Sequence, residues 1–359
     1  MNIGLVGLPK SGKTTIFNAL TGEDAEVTAY QSGRVEPNRA VVRVDDTRID
    51  ELSTIYKPKK TVYAQLDLVD FAGLTAGAEG GEIFSSEALA AVKSCDALAL
   101  VLRNFSSEEV ESQHGGVNPV EEVTTLLEEF LLADQILIER RLERIREDIG
   151  KGKKEPTLPA EEKLLSMVQQ RIEAGETIRS IDFNTEQEKQ LGGYSFLTGK
   201  PCFAILNSDE ESYGGNTKVI EEIEGSCPLV EFAGKFETEL AGLDPDEAAA
   251  FMQDLGIEGS ARERLTGFAY SILGYSSFFT VGEDEVRAWT IRTGATAVEA
   301  AGVIHSDLAR GFIRAECFSY TNLMTHGSEK ELKGKGLISL EGKGYQVKDG
   351  DILSIRFSV

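Results

Sequence analysis

Along the first hundred residues, short apolar runs alternate with segments whose apolar positions recur at helical spacing. Residues 3–6 (Ile-Gly-Leu-Val) form one such run, and residues 15–20 continue as a helical pattern. Residues 40–44 (Ala-Val-Val-Arg-Val) read as a strand, and 47–55 as a short helix with Asp46 or Thr47 near its cap. Residues 62–69 read as another strand, carried by Val62, Tyr63, Leu66, Leu68 and Val69. A helical stretch over 85–92 precedes Ala97-Leu98-Ala99-Leu100-Val101-Leu102, whose unbroken apolar character is that of a strand covered on both faces. Strands separated by helices in this order predict an α/β fold with a mixed, mostly parallel sheet. Residues 23–40, with Thr28, Gly33 and Pro37, show little period and are expected to form a mobile loop, as is the glycine-rich 77–81.

After Pro119 the pattern changes. Leu127, Leu131, Ile138, Leu142, Ile145 and Ile149 fall three, four or seven apart among Glu and Arg, which predicts a long amphipathic helix. Residues 150–159 (Gly-Lys-Gly-Lys-Lys-Glu-Pro-Thr-Leu-Pro) break it, and Leu164, Leu165, Val168 and Ile172 mark a second helix, giving an antiparallel helical hairpin. Its tip, with Lys151, Lys153 and Lys154, is either a solvated loop or a point of contact for a partner. The β/α pattern resumes at 202–206 and 228–232, so the hairpin is an insertion, and 246–255 and 261–273 read as further helices. Beyond residue 275, a strand pair at 278–281 and 286–291, a helix at 296–308 and a last strand at 352–359 after Asp349-Gly350 predict a small mixed sheet around a helix. That part holds no catalytic constellation and reads as an interaction module.

At 359 residues the chain is too long for one ordinary core. The expected division is 1–119 with 198–275, then 120–197 for the hairpin, and 276–359. A net charge of −23 opposes a surface that coats nucleic acid, so free DNA is not an expected partner, although a local basic patch is compatible with it. No apolar run approaches the length of a membrane span, and the N-terminus enters a strand with no signal pattern, so a cytoplasmic protein without a membrane partner is expected. Cys95, Cys202, Cys227 and Cys317 are scattered without metal-ligand spacing and read as reduced or buried thiols.

The chemistry lies first in Gly7-Leu8-Pro9-Lys10-Ser11-Gly12-Lys13-Thr14, which fits G-x-x-x-x-G-K-[ST] between a strand and a helix. Glycines there let backbone N–H groups close around phosphates, and the helix start adds partial positive charge. Gly7, Pro9, Lys10, Ser11, Gly12, Lys13, Thr14 and Thr15 are therefore expected at the nucleotide, with Lys13 on the phosphates and the Thr14 hydroxyl on Mg²⁺. Asp70-Phe71-Ala72-Gly73 then delivers an aspartate from a strand end, placing Asp70 on Mg²⁺ and the Gly73 N–H near the γ-phosphate. After the 202–206 strand come Asn207-Ser208-Asp209-Glu210, and Ala233-Gly234-Lys235 follows the 228–232 strand as a base-side loop.

The order of P-loop, D-x-A-G-L, helical insertion and N-x-x-E resembles the YchF group of Obg-like ATPases. The likeness extends to the end of the chain, where residues 285–291 (E-V-R-A-W-T-I), 294–297 (G-A-T-A), 300–307 (A-A-G-V-I-H-S-D), 311–315 (G-F-I-R-A) and 347–351 (V-K-D-G-D) resemble that family's TGS domain, a small α+β, β-grasp-like fold. The resemblance implies a Mg²⁺-dependent ATPase switch, ATP in preference to GTP, and a ribosomal or other translational partner. A GTPase reads guanine with the Asp of N-K-x-D; here Ser208 and Glu210 hold the Lys and Asp positions, and Asn207 can serve adenine through its amide. Asp209 lies one residue from the GTPase aspartate position, and a shifted loop there would restore guanine binding.

Three positions depart from the family pattern. Lys10 stands where Asn is usual, Arg34 where the first switch usually has Thr, with Ser32 as a stand-in, and Leu74 is not a glutamine able to orient water. Turnover is therefore expected to be slow. The family implies a catalytic histidine in the loop after the Leu98 strand, where His114 stands at a shorter spacing to Val117-Asn118-Pro119 than the pattern suggests; a surface histidine is the other reading. Lys10 is a second catalytic candidate, as a fixed charge replacing a monovalent cation, or else it points into solvent. A GTPase of the same fold and a nucleotide-gated scaffold with negligible hydrolysis stay open as alternatives.

Overall fold

β1 (Asn2–Val6) is the middle strand of the larger sheet. It pairs in parallel with β5 (Gln65–Asp70) on one side and β6 (Ala97–Asn104) on the other. β2 (Val27–Thr28) and β3 (Asn38–Arg43) lie beyond β5, and β7 (Cys202–Ser208) and β8 (Leu229–Phe232) beyond β6, completing a seven-stranded sheet ordered β2-β3-β5-β1-β6-β7-β8. The structure, a computed structural model, describes residues 1–21, 27–28, 37–71, 84–106, 116–153, 155–240, 242–254, 257 and 259–358. Its contacts divide the chain into two compact units, Met1–Ala40 with Asp67–Leu255, and Val41–Leu66 with Gly256–Val359.

In the first unit the continuous apolar runs of β6 and β7 are buried along their lengths, as expected of strands with both faces covered. Leu98, Leu100, Leu102, Ala204 and Leu206 pack with Ala88 and Val92 of α2 (Ser86–Lys93) and with Val123, Leu126 and Phe130 of α3 (Pro119–Gly150). α3 then leaves this core, and its Ile138, Leu142 and Ile145 pack with Leu164, Leu165, Val168 and Ile172 of α4 (Leu158–Glu173). Arg141 donates two hydrogen bonds to Glu161, of 2.7 and 2.8 Å, across the pair. The tip lysines are met locally: Lys151 by Glu147 at 3.0 Å and Lys153 by Asp148 at 3.1 Å; Lys154 lies outside the described residues.

The hairpin is fastened to the sheet by a buried carboxylate. Asp134 of α3 is fully buried and accepts from the Leu197 N–H (2.9 Å), the Thr198 N–H (2.8 Å) and the Thr198 hydroxyl (2.7 Å), just ahead of β7. Burial pushes its pKa upward, and these hydrogen bonds oppose that shift.

The second unit is built on a six-stranded sheet ordered β12-β11-β13-β9-β10-β4. β4 (Lys60–Val62) runs parallel to β10 (Glu285–Arg292), which forms a hairpin with β9 (Tyr275–Thr280). β11 (Phe312–Ser319) pairs antiparallel with β12 (Ser339–Glu341) and β13 (Asp351–Phe357). Residues 41–66 join it through β4 and through Arg48, which donates to Asp349 at 2.6 Å while Asp349 accepts from the Ser277 N–H at 2.8 Å.

Four expectations need correction. The single strand expected at 62–69 is two strands in different sheets, because β4 finds its ladder partner in β10 and β5 in β1. The helix expected over 296–308 breaks at His305, whose extended backbone (φ −165°) starts a second short helix and whose Nδ1 accepts from the Asp307 N–H at 3.1 Å. The pattern marks no strand over 312–319, yet β11 carries much of the second sheet there; its alternation is broken by a register shift between Phe312 and Arg314 and by the exposed Ile313. Within the expected loop 23–40, Val27–Thr28 pairs antiparallel with Arg39 and Ala40. Residues 29–36, with Ser32 and Arg34, and 72–83, with Gly73, Leu74 and the 77–81 stretch, lie outside the described residues.

Candidate nucleotide site

β1 ends at Val6, and the loop 7–12 turns directly into α1 (Lys13–Thr21). The turn is closed by Ser11 N–H donating to the Leu8 carbonyl at 3.2 Å. Two glycines are sterically required. A Cβ on Gly7 would stand 2.4 Å from the Val101 carbonyl oxygen, and Gly12 has φ +93° with a Cβ position 2.1 Å from Asn207 Nδ2. Lys10 also adopts the left-handed region, at φ 65°, a conformation that Asn tolerates better than Lys.

Lys13 is 4% exposed and turned inward. Its ammonium donates to the carbonyls of Gly7 (2.9 Å) and Leu8 (3.0 Å). Burial lowers its pKa to about 8, with Asp70 and Glu122 pulling the other way. Ser11 is buried too, and its hydroxyl has no partner among the described residues, so a donor stands ready inside the loop.

The register Leu5↔Asp70 between β1 and β5 brings Asp70 beside the helix start, where the Thr14 hydroxyl donates to Asp70 Oδ2 at 2.9 Å. Two hard oxygen donors this close suit Mg²⁺, which takes one or two protein oxygens and keeps water and phosphate for the rest. Among the described residues no cluster of three or more acidic, Cys or His side chains offers a metal cage, in keeping with that sparse ligation.

Asn207 ties the end of β7 to two loops. It is buried at the end of β7, its Nδ2 donates to the Ser11 carbonyl at 3.0 Å and its Oδ1 accepts from the Gly234 N–H at 3.1 Å. Gly234 is fitted to that contact, since a Cβ there would stand 2.6 Å from Asn207 Oδ1. Ala233 is buried beside it. Asn207 therefore spends its carbonyl and one amide hydrogen on holding two loops together, leaving one amide hydrogen for a base.

Ser208 is turned away from such a role. Its hydroxyl donates to Glu231 at 2.6 Å and accepts from Asn104 at 2.9 Å. Glu210 is exposed, and Asp209 accepts from the Ser212 N–H at 2.9 Å and the Ser212 hydroxyl at 2.5 Å. Pro9 and Thr15 sit in the loop and on the first helical turn as expected. His114 lies outside the described residues.

Sequence reasoning missed Glu231, and also the buried pair Arg103–Glu122. Glu122 accepts from the Arg103 N–H at 2.8 Å, and Arg103 donates to the Gly116 carbonyl at 3.0 Å, fixing the end of β6 to the start of α3. A signal was available in each case: a charged residue inside an otherwise apolar strand or on the buried stripe of a helix.

The chain is similar to known proteins over its whole length. A family model described as 50S ribosome-binding GTPase (MMR_HSR1) matches residues 2–139, and one described as YchF-GTPase_C, a protein of unknown function, matches residues 275–358. The ribosome-binding ATPase YchF of Pasteurella multocida is 39% identical over 99% of both chains, and that of Bacillus subtilis 36% identical over 100% of both. Obg-like ATPase 1 of rice is 35% identical over 100% of this chain and 92% of its own length. The solved structure of the Schizosaccharomyces pombe YchF GTPase superposes with a TM-score of 0.85 at 31% identity, covering 99% of this chain and 97% of that one.

Proposed function

The chain belongs to the YchF family, and from that membership and the site geometry we propose that it is a Mg²⁺-dependent ATPase whose nucleotide state governs docking to a ribosome. The observation that carries the nucleotide part is the convergence of Lys13, the unpaired Ser11 hydroxyl, the Thr14–Asp70 pair and the Asn207 brace around one loop. Thr14 and Asp70 would hold Mg²⁺, which when bound offsets phosphate charge. Lys13 would exchange two carbonyl acceptors for phosphate oxygens, and the loop N–H groups would surround them.

ATP over GTP is supported by the absence of an aspartate at the third position after Asn207, where Glu210 is exposed. Slow turnover is part of the proposal, with Lys10 and His114 as candidate catalytic groups and Gly73 as a γ-phosphate contact. The ribosomal part rests on the names of the relatives, and the division into nucleotide domain, helical insertion and TGS domain follows the same family pattern. Sedimentation of the full chain with ribosomes, alone and with MgATP, MgADP or a non-hydrolysable ATP, tests it together with phosphate release. Nucleotide-dependent pelleting is expected. Identical pelleting in all states, or no release of phosphate from ATP, would contradict the proposal.

A further inference from the structure

The turn at 209–216 that follows Asn207 is held shut from the neighbouring strand. Glu231 stands on β8 at the position in register with Leu206, one step from the Asn207↔Phe232 pair. Its carboxylate accepts from the Ser208 hydroxyl (2.6 Å), the Asn216 amide (2.6 Å) and the Gly214 N–H (3.1 Å). Asn216 also donates to the Ser212 carbonyl at 2.7 Å, so the far end of the turn is tied back to its middle. Within this clamp Asp209 faces Ser212, whose N–H and hydroxyl both donate to its Oδ1.

We propose that Glu231 is a positioning residue that determines which base the site accepts, by holding the 209–216 turn closed and Asp209 off the base edge. The inference rests on the nucleotide-site reading above and adds a residue outside every base-recognition position of the N-x-x-E segment. Guanine presents N1–H and N2–H₂ donors that call for a carboxylate, whereas adenine presents no such pair and would leave a desolvated carboxylate unpaired. Asp209 lies two residues beyond Asn207, one short of the GTPase aspartate position, and its engagement with Ser212 holds it from the loop shift that would bring it to the base edge. Glu231 is itself engaged by three donors from the end of β7 and the turn, so it acts through the turn and not on the base.

The test is competitive binding of ATP, GTP and ITP to the full chain, to Glu231→Ala and to Glu231→Ala/Asp209→Ala, with thermal melting of each. Glu231→Ala is expected to raise GTP affinity relative to ATP at least about fivefold, with ITP, which keeps N1–H and lacks the 2-amino group, gaining less. Removing Asp209 as well should return the ratio to that of the parent. A purely structural role would weaken all three nucleotides together. Should Glu231→Ala fail to fold, Asn216→Ala removes one strut from the turn side, and a smaller shift in the same direction is expected. A parent that binds ATP while the variants keep its ATP:GTP ratio overturns this inference alone, as does a gain that survives loss of Asp209. A parent that binds no nucleotide overturns the site reading and the inference with it.

Discussion

Raising the pH above 8 should weaken nucleotide binding and, at the same time, stabilise the nucleotide-free protein. Both effects come from Lys13. Its ammonium is buried and its pKa is lowered to about 8 from an ordinary 10.5, chiefly by desolvation. A triphosphate requires the charged form and would raise that pKa. The charged fraction falls from about three quarters at pH 7.5 to about 3% at pH 9.5, so ATP affinity should drop roughly 20-fold across that range, near 1.8 kcal/mol. Titration calorimetry at pH 8.5 in two buffers of different ionisation enthalpy should register uptake of about 0.8 proton per ATP bound. For stability the sign reverses. The folded-state pKa lies below the unfolded value, so the unfolded chain binds more protons between pH 8 and 10.5, and stability rises with pH in that window by up to about 3 kcal/mol. Lys13→Met, compared with the parent by urea unfolding at each pH, should remove that rise. An ATP affinity that stays flat from pH 7.5 to 9.5 with no proton uptake would refute the reasoning.

Further expectations follow from single contacts. Asp134→Ala leaves the Leu197 and Thr198 N–H groups buried without their acceptor and should cost about 3 kcal/mol in urea unfolding. Gly12→Ala places a Cβ against Asn207 Nδ2 and should weaken ATP at least roughly tenfold in a binding titration, with an unchanged affinity refuting the brace. Lys10→Asn relieves a left-handed lysine, so thermal stability should hold or rise; if Lys10 supplies a fixed charge at the phosphates, hydrolysis by the parent should ignore exchange of K⁺ for Na⁺ and the variant should become K⁺-dependent and slower.

The nucleotide loop was legible because its chemistry is local: Gly7 to Thr14 between an apolar strand and a helix carries strand, turn and helix start in one stretch. The long helix was equally plain from its period. Asp134 was not, although it occupies the apolar stripe between Leu131 and Ile138, because its partners lie 63 and 64 residues away and leave no trace near it. Glu231 stood out only as a charged residue in a short apolar strand, and its role shows once Ser208, Gly214 and Asn216 are folded against it. The division of 60–70 into β4 and β5 depends on partners some 220 residues apart in one case and near the N-terminus in the other, a choice that alternation alone does not encode. Asn207 was legible as a site residue, but its commitment to Ser11 and Gly234 appears only once β7, the loop and β8 are brought together.

On the proposed reading, one loop binds ATP through Lys13, and its base lies beside Asn207. A crystal structure of the full chain with Mg²⁺ and a non-hydrolysable ATP tests it most directly. Lys13 is expected to have left the Gly7 and Leu8 carbonyls for the phosphates, with Thr14 and Asp70 at the ion and adenine beside an Asn207 still bonded to Ser11 and Gly234. Nucleotide bound elsewhere, or Lys13 still donating to those two carbonyls with the triphosphate present, would contradict it.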